Sequence, residues 1–181
     1  MPVLLTVRDA AEGGGMEMTV GERRRIFQEL MPLVEAVDVE LRNLRKLSDV
    51  VRAARGAGKW VVASFHDFCG VPKPGKVREL ARRAVDGGVD CFKLAARTDC
   101  AHEVAGLLRC VEILSEHGPF ALMGMGRLGA ASRPLFAACG SRLNYGWLGT
   151  PLVPGQPGAQ ELAQVILQFR GWTEGLEERA R

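Results

Sequence analysis

"WVVASFHDFCGVPKPGKVRELARRAVDGGVDCFKLAAR", residues 60–97, holds a strand, a helix and a second strand in one run. Residues 60–68 are apolar and β-branched without polar alternation, the composition of a strand buried on both faces. Glycine and proline fill the loop after it, and 76–88 reads as a helix stopped by glycine. A second apolar strand, 89–97, follows. Two such strands joined by a helix predict parallel pairing, because a parallel pair needs a crossover to carry the chain back.

The same alternation extends outward in both directions. Upstream, 2–8 reads as a strand, 19–34 as a helix, 36–41 as a strand and 47–57 as a helix. Thr19 and Glu22 have capping-box spacing, and Ile26, Phe27, Leu30, Met31 and Val34 fall on one helical face. Downstream, 100–117 reads as a helix, 120–126 as a fifth strand and about 132–138 as a short helix. A sixth strand is expected at 142–148 and a last helix at 159–169. Residues 1–170 then form one domain, and 171–181 a polar C-terminal tail. This order is that of an α/β protein with a parallel sheet covered by helices. Two architectures fit it: a doubly wound open sheet and part of a (β/α)8 barrel.

Composition narrows the function classes. The chain has 181 residues and 47% hydrophobic content, enough for one packed domain. Its 24 basic and 21 acidic residues leave a net charge of +3, too mild a balance to argue for nucleic-acid or membrane binding. The N-terminus lacks the features of a signal peptide and no apolar run reaches membrane-spanning length, so a cytoplasmic location is expected. Five cysteines without paired spacing argue against a disulfide framework, and the absence of CxxC or HExxH argues against a metal site. "GMGRLG" (124–129) matches G-x-G-x-x-G, but it follows the fifth strand and has no acidic residue about 20 positions on, so no nucleotide cofactor is expected.

In both architectures the functional face lies at the carboxyl ends of the strands. Arg8 and Glu12, Glu40 and Arg42, His66 and Asp67, Lys93, Met125, Ser132 and Arg133, Asn144, Tyr145 and Gln156 all fall there. Lys93 sits among Phe92, Leu94, Ala95 and Ala96. Burial by such neighbours disfavours the ammonium and releases free amine, which can attack a carbonyl to form an imine. A snorkelling lysine, or one paired with a carboxylate, fits the same position. His66 reads either as a proton shuttle or as a hydrogen-bonded structural residue. Arg8 and Arg133 read as anion-gripping groups or as surface charges. Together they suit a small carbonyl substrate bearing a carboxylate.

"LLTVRDAAEGG", "VDVEL", "SFHDF", "FKLAA", "MGMGRLGAASR" and "VPGQ", in this order at these strand ends, resemble type I 3-dehydroquinate dehydratase, the imine-forming dehydratase of the shikimate pathway. The resemblance implies a (β/α)8 barrel in which Lys93 forms the imine with the ketone of 3-dehydroquinate and His66 moves the proton. It implies that Glu12 orients His66, that Arg8 contacts substrate hydroxyls, and that Arg133 and Gln156 hold the substrate carboxylate and the closing loop. No metal or organic cofactor is implied. "PVLLTVR" aligns with the third barrel strand of the family, and a full barrel typically needs about 250 residues. An incomplete barrel is therefore expected, without the first two βα units. Ahead of the PGQ glutamine, where the family has a serine, stands Leu152. These departures leave open a non-catalytic relative that binds a metabolite or a protein. An open side flanked by strands 2–8 and 142–148 further predicts a homodimer.

Overall fold

The computed structural model describes residues 2–149 and 156–179. Its elements run β1 (Leu4–Thr6), α1 (Val20–Leu30), β2 (Ala36–Glu40), α2 (Ser48–Gly56), β3 (Trp60–Asp67), α3 (Pro74–Asp86), β4 (Cys91–Arg97), α4 (Ala101–Ser115), β5 (Phe120–Met125), α5 (Gly129–Ala138) and α6 (Ala159–Arg179). The five strands form one sheet in the order β1-β2-β3-β4-β5, and every pair is parallel. The expected α/β class and parallel sheet are therefore present. Among the described residues the sheet is open, with β1 and β5 at its edges.

Side chains alternate across a strand, so the register decides which residues share a face. Thr6, Asp38, Val62 and Cys91 lie in line across four strands. Glu40 lies beside Ser64, Ser64 beside Lys93, and His66 beside Ala95. One face of the sheet thus carries Asp38, Glu40, Ser64, His66 and Lys93. Its apolar remainder is a small cluster of Val62, Cys91, Ala95, Ala121 and Met123. The opposite face presents Val37, Val39, Val61, Ala63, Leu94 and Leu122 to the helices, and this is the main core. Burying each such aliphatic side chain contributes roughly 1.5–3 kcal/mol. The helices therefore hold the sheet from behind, and the polar face carries only the small second cluster.

Local chemistry sets the element ends. Thr19 and Glu22 form the expected capping box, with Glu22 N–H donating to Thr19 Oγ1 at 3.2 Å and Thr19 N–H to Glu22 Oε2 at 2.7 Å. The helix expected to reach residue 34 stops at Leu30, and Met31–Leu33 forms a one-turn 3-10 helix. Pro32 explains the stop, since it lacks the N–H that would continue the α-helical ladder. In "GMGRLG", Gly126 takes a left-handed φ of 82°, and a Cβ on Gly124 would lie 2.2 Å from Thr98 Oγ1. These glycines serve a tight turn and a close approach.

The sixth strand expected at 142–148 is absent. The segment makes only an isolated bridge, Trp147 with Gly158. The reason lies on the edge of β5, where side chains take the places a strand would fill. Arg142 N–H donates to Phe120 O at 2.8 Å, but Leu122 N–H donates to Ser141 Oγ at 2.9 Å and Gly124 N–H to Ser132 Oγ at 3.1 Å. The chain instead lays Leu143 and Tyr145 against the small inner cluster. At the other end of the chain, α6 continues to Arg179, ten residues past the expected stop at 169, so the segment read as a polar tail is helical backbone through that point. The strand read at 2–8 pairs only over Leu4–Thr6. Among the described residues no helix is long and apolar enough to cross a membrane.

Ser141 should therefore matter for stability. Ser141→Ala leaves the buried Leu122 N–H without its acceptor, and the expected loss is about 1–3 kcal/mol of unfolding free energy. Urea denaturation checks this; a midpoint unchanged from wild type would show that the edge is satisfied otherwise.

Candidate active site

The loop after β1 turns back onto the polar face of the sheet. Asp9 caps the one-turn helix Ala10–Glu12, accepting from Ala11 N–H at 2.9 Å, and Gly13 ends it with a left-handed φ of 90°. A Cβ on Gly14 would come within 2.3 Å of Arg8 O, so this turn requires glycine. The fold-back carries Glu12, 5% exposed, to His66. Glu12 Oε2 accepts from His66 N–H at 3.1 Å and lies 2.9 Å from His66 Nδ1. A carboxylate here fixes the proton on Nδ1 and leaves Nε2 its lone pair. The Phe68 ring stacks near His66, with centroids 6.4 Å apart. Burial pushes the imidazole pKa below its usual 6.5; the Glu12 contact opposes this, and the Lys93 and Arg8 charges add to it.

Beneath this pair lies a buried charge network. Asp38 is fully buried, and its Oδ2 accepts from Arg8 Nη2 at 2.8 Å and from Lys93 Nζ at 3.1 Å. Its Oδ1 accepts from the Ser64 hydroxyl, whose oxygen accepts from Arg8 Nη1 at 2.6 Å. Burial alone would raise the Asp38 pKa, but Lys93 and Arg8 outweigh it and hold the carboxyl below its ordinary value. Lys93, 4% exposed, is also shifted down, with burial as the largest cause: burial lowers the ammonium pKa, Asp38 opposes, and Arg8 and Arg133 lower it further. The Tyr145 ring centroid stands 4.2 Å from Lys93 Nζ. Arg8 Nη1 also reaches Glu40 Oε1 at 3.2 Å.

Arg133, 5% exposed on α5, donates through Nη1 to Tyr145 O at 2.8 Å, while its Nε has no hydrogen-bond partner among the described residues. The Tyr145 hydroxyl is likewise buried and without a partner among the described residues. The structure thus brings Arg8, Glu12, His66 and Lys93 together and sets Arg133 against the segment that covers Lys93. Gln156 is half-buried two residues before the bridge at Gly158, and among the described residues no hydrogen bond joins it to the network. Leu152 lies outside the described residues. Arg42 is exposed, and Asp67 accepts from Cys69 N–H instead of joining the network. No group of three or more His, Cys, Asp and Glu side chains is placed to hold a metal ion among the described residues.

Reading the sequence overlooked three members. Asp38 and Ser64 carried a signal, as polar residues inside apolar strands and on the same face as Glu40 and His66. Arg23 carried a weaker one: it stands three and four residues before Ile26 and Phe27, on the inward stripe of the helix. In "GERRRIF" it reads as one more solvated charge, yet it is 1% exposed and paired with Glu40.

A parallel α/β sheet with a buried amine, a carboxylate and an oriented imidazole at its strand ends defines a class, that of sites equipped for amine and proton-transfer chemistry on a carbonyl compound. The chain belongs to the type I 3-dehydroquinase family, whose model matches residues 1–171. It is 32% identical to 3-dehydroquinate dehydratase of Methanosarcina barkeri, over 92% of this chain and 72% of that protein. It is 31% identical to that of Methanocella arvoryzae, over 90% of this chain and 73% of the relative. The fold superposes on 3-dehydroquinate dehydratase from Geobacillus kaustophilus with a TM-score of 0.87 at 28% identity, covering 94% of this chain and 68% of that one. The Clostridium difficile type I enzyme with covalently modified comenic acid gives a TM-score of 0.85 at 28% identity, over 94% and 70% of the two chains.

The His66 environment yields a pH prediction. An NMR titration of its ring protons should give a midpoint below 6.5, and Glu12→Gln should lower it further by removing the contact that opposes burial. Because folding disfavours the charged ring, its contribution to stability is present above 6.5 and is lost as pH falls from there to the folded-state midpoint. A higher midpoint in Glu12→Gln would contradict the assignment.

Proposed function

We propose that this chain dehydrates 3-dehydroquinate to 3-dehydroshikimate through an imine on Lys93. The observation that carries the reading is the Lys93 amine, buried against Asp38 at 3.1 Å and next to an imidazole already held by Glu12. Membership of the type I 3-dehydroquinase family supports it, as does the covalent ligand of the Clostridium difficile relative. Lys93 adds to the ketone and water leaves, giving a cationic imine. His66 Nε2 takes a proton from the adjacent carbon while the electron pair moves toward the imine nitrogen. The same imidazolium then gives its proton to the departing hydroxyl, which leaves as water, and hydrolysis of the imine frees Lys93. A lowered His66 pKa keeps the imidazole unprotonated and able to accept a proton at neutral pH, and a lowered Lys93 pKa favours the free amine. Arg8 offers its remaining N–H groups to substrate hydroxyls. Arg133, with its unpaired Nε, and Gln156 serve the substrate carboxylate and the loop over it.

The five parallel strands correspond, in this reading, to consecutive strands of the (β/α)8 barrel from its third strand onward. The coverage of 68% of the Geobacillus kaustophilus chain supports that alignment. The open edge at β1 favours a homodimer closed near that edge, which light scattering tests directly. Five free cysteines suit a reducing, cytoplasmic setting.

Borohydride added with 3-dehydroquinate or its product should place ligand mass on Lys93 and nowhere else. His66→Ala should keep this trapping but lower turnover by about 10²–10⁴-fold, the usual worth of a positioned acid–base group. No adduct in wild type, or an equal adduct in Lys93→Ala, would remove the imine from the account. Near-normal turnover in His66→Ala would remove its proton role.

A further inference from the structure

Among the described residues Arg23 is the largest side chain to be essentially fully buried, and it hydrogen-bonds neither to Lys93 nor to His66. Its Nε donates to Val7 O at 2.9 Å, its Nη1 reaches Asp9 Oδ2 at 3.3 Å, and its Nη2 pairs closely with Glu40 Oε2. Glu40 Oε1 faces the other way, toward Arg8 Nη1 and Asp9 N–H. Glu40 therefore stands between two guanidinium groups, and Arg8 stands between two carboxylates.

Charge balance across this chain has a direction. An uncompensated Glu40 would draw Arg8 toward itself, and Asp38 would lose part of its Arg8 contact. Asp38 would then lean on Lys93, its other cation, and hold it as ammonium. The groups that face Lys93 are Asp38 from β2, Arg8 from the loop after β1, Ser64 and His66 from β3, Arg133 from α5 and the Tyr145 ring. Asp38 is the one carboxylate that contacts the amine among the described residues. We propose that Arg23 is a positioning residue that neutralises Glu40, so that Arg8 stays on Asp38 and the Lys93 amine stays easy to deprotonate. The inference rests on Lys93 being the reactive amine, but its test reads the amine without substrate.

The test is an NMR titration of the Lys93 side-chain carbon beside the amine, assigned with Lys93→Arg. Arg23→Met should move the midpoint up by about one pH unit, the size of losing one nearby charge, and leave roughly ten-fold less free amine at pH 7. Arg23→Lys, which keeps the charge but not the guanidinium hydrogen bonds, should restore the wild-type midpoint. Glu40→Gln should shift it down, because Glu40 then no longer competes with Asp38 for Arg8, while Arg23 keeps only Asp9. Circular dichroism establishes folding of each variant, and if Arg23→Met does not fold, Arg23→Lys and Glu40→Gln carry the comparison with wild type. A wild-type midpoint in folded Arg23→Met, or an unmoved or raised midpoint in Glu40→Gln, would overturn the role of Arg23. A wild-type Lys93 that titrates as expected but gives no borohydride adduct would instead count against the imine, not against Arg23.

Discussion

The Asp38 carboxylate is the point on which the arrangement turns. A fully buried carboxylate is tolerated only when cations and hydrogen bonds replace the water it has lost. Here Arg8 from the loop after β1, Ser64 from β3 and Lys93 from β4 all converge on it from three neighbouring segments. This ties register to charge. A one-residue slip of any of these strands would turn its polar residue into the helix-packed face and leave Asp38 short of a partner. The helices supply the cohesion of the sheet, while Asp38 fixes how its strands are aligned.

The same arrangement gives two basic groups on neighbouring strands their different carboxylate partners. His66 has its carboxylate, Glu12, at the rim, where it orients the ring. Lys93 has its carboxylate deeper, and shares it with Arg8. Sharing weakens the grip of Asp38 on the amine, and burial does the rest. Removing either partner of such a pair is costly, typically about 3–5 kcal/mol, so the residues that tune the amine also help hold the fold together.

The fold was largely legible because strands buried on both faces alternate with glycine-stopped helices, a pattern that tertiary context rarely overrides. Residues 142–148 misled for a definite reason. "RLNYGWL" has strand composition, but whether a strand joins a sheet depends on a free edge, and Ser141, Ser132 and Arg142 occupy that of β5. Single-residue candidates such as His66 and Lys93 stood out as polar groups in apolar runs. Arg23 did not, although it is in phase with Ile26, Phe27 and Leu30, because an arginine at the end of an apolar stripe usually reaches back to water. Burial of a charged helix residue is decided by a partner on another element, here Glu40, and that pairing is not written locally.

The two edges of the sheet are chemically unlike, and this limits what the sheet can join. At β5 the outward backbone groups are occupied by hydroxyl side chains and by one backbone bond from Arg142, whereas beyond β1 no further strand is described. Sheets with two receptive edges can add copies without end, as fibres do. A sheet with a single receptive edge can be extended once. Whatever strand comes to lie beside β1, from more of this polypeptide or from a second copy, uses up the one opening, and growth by strand addition stops there. Ser141 and Ser132 thus leave β5 with fewer free backbone groups for a further strand than β1 has among the described residues.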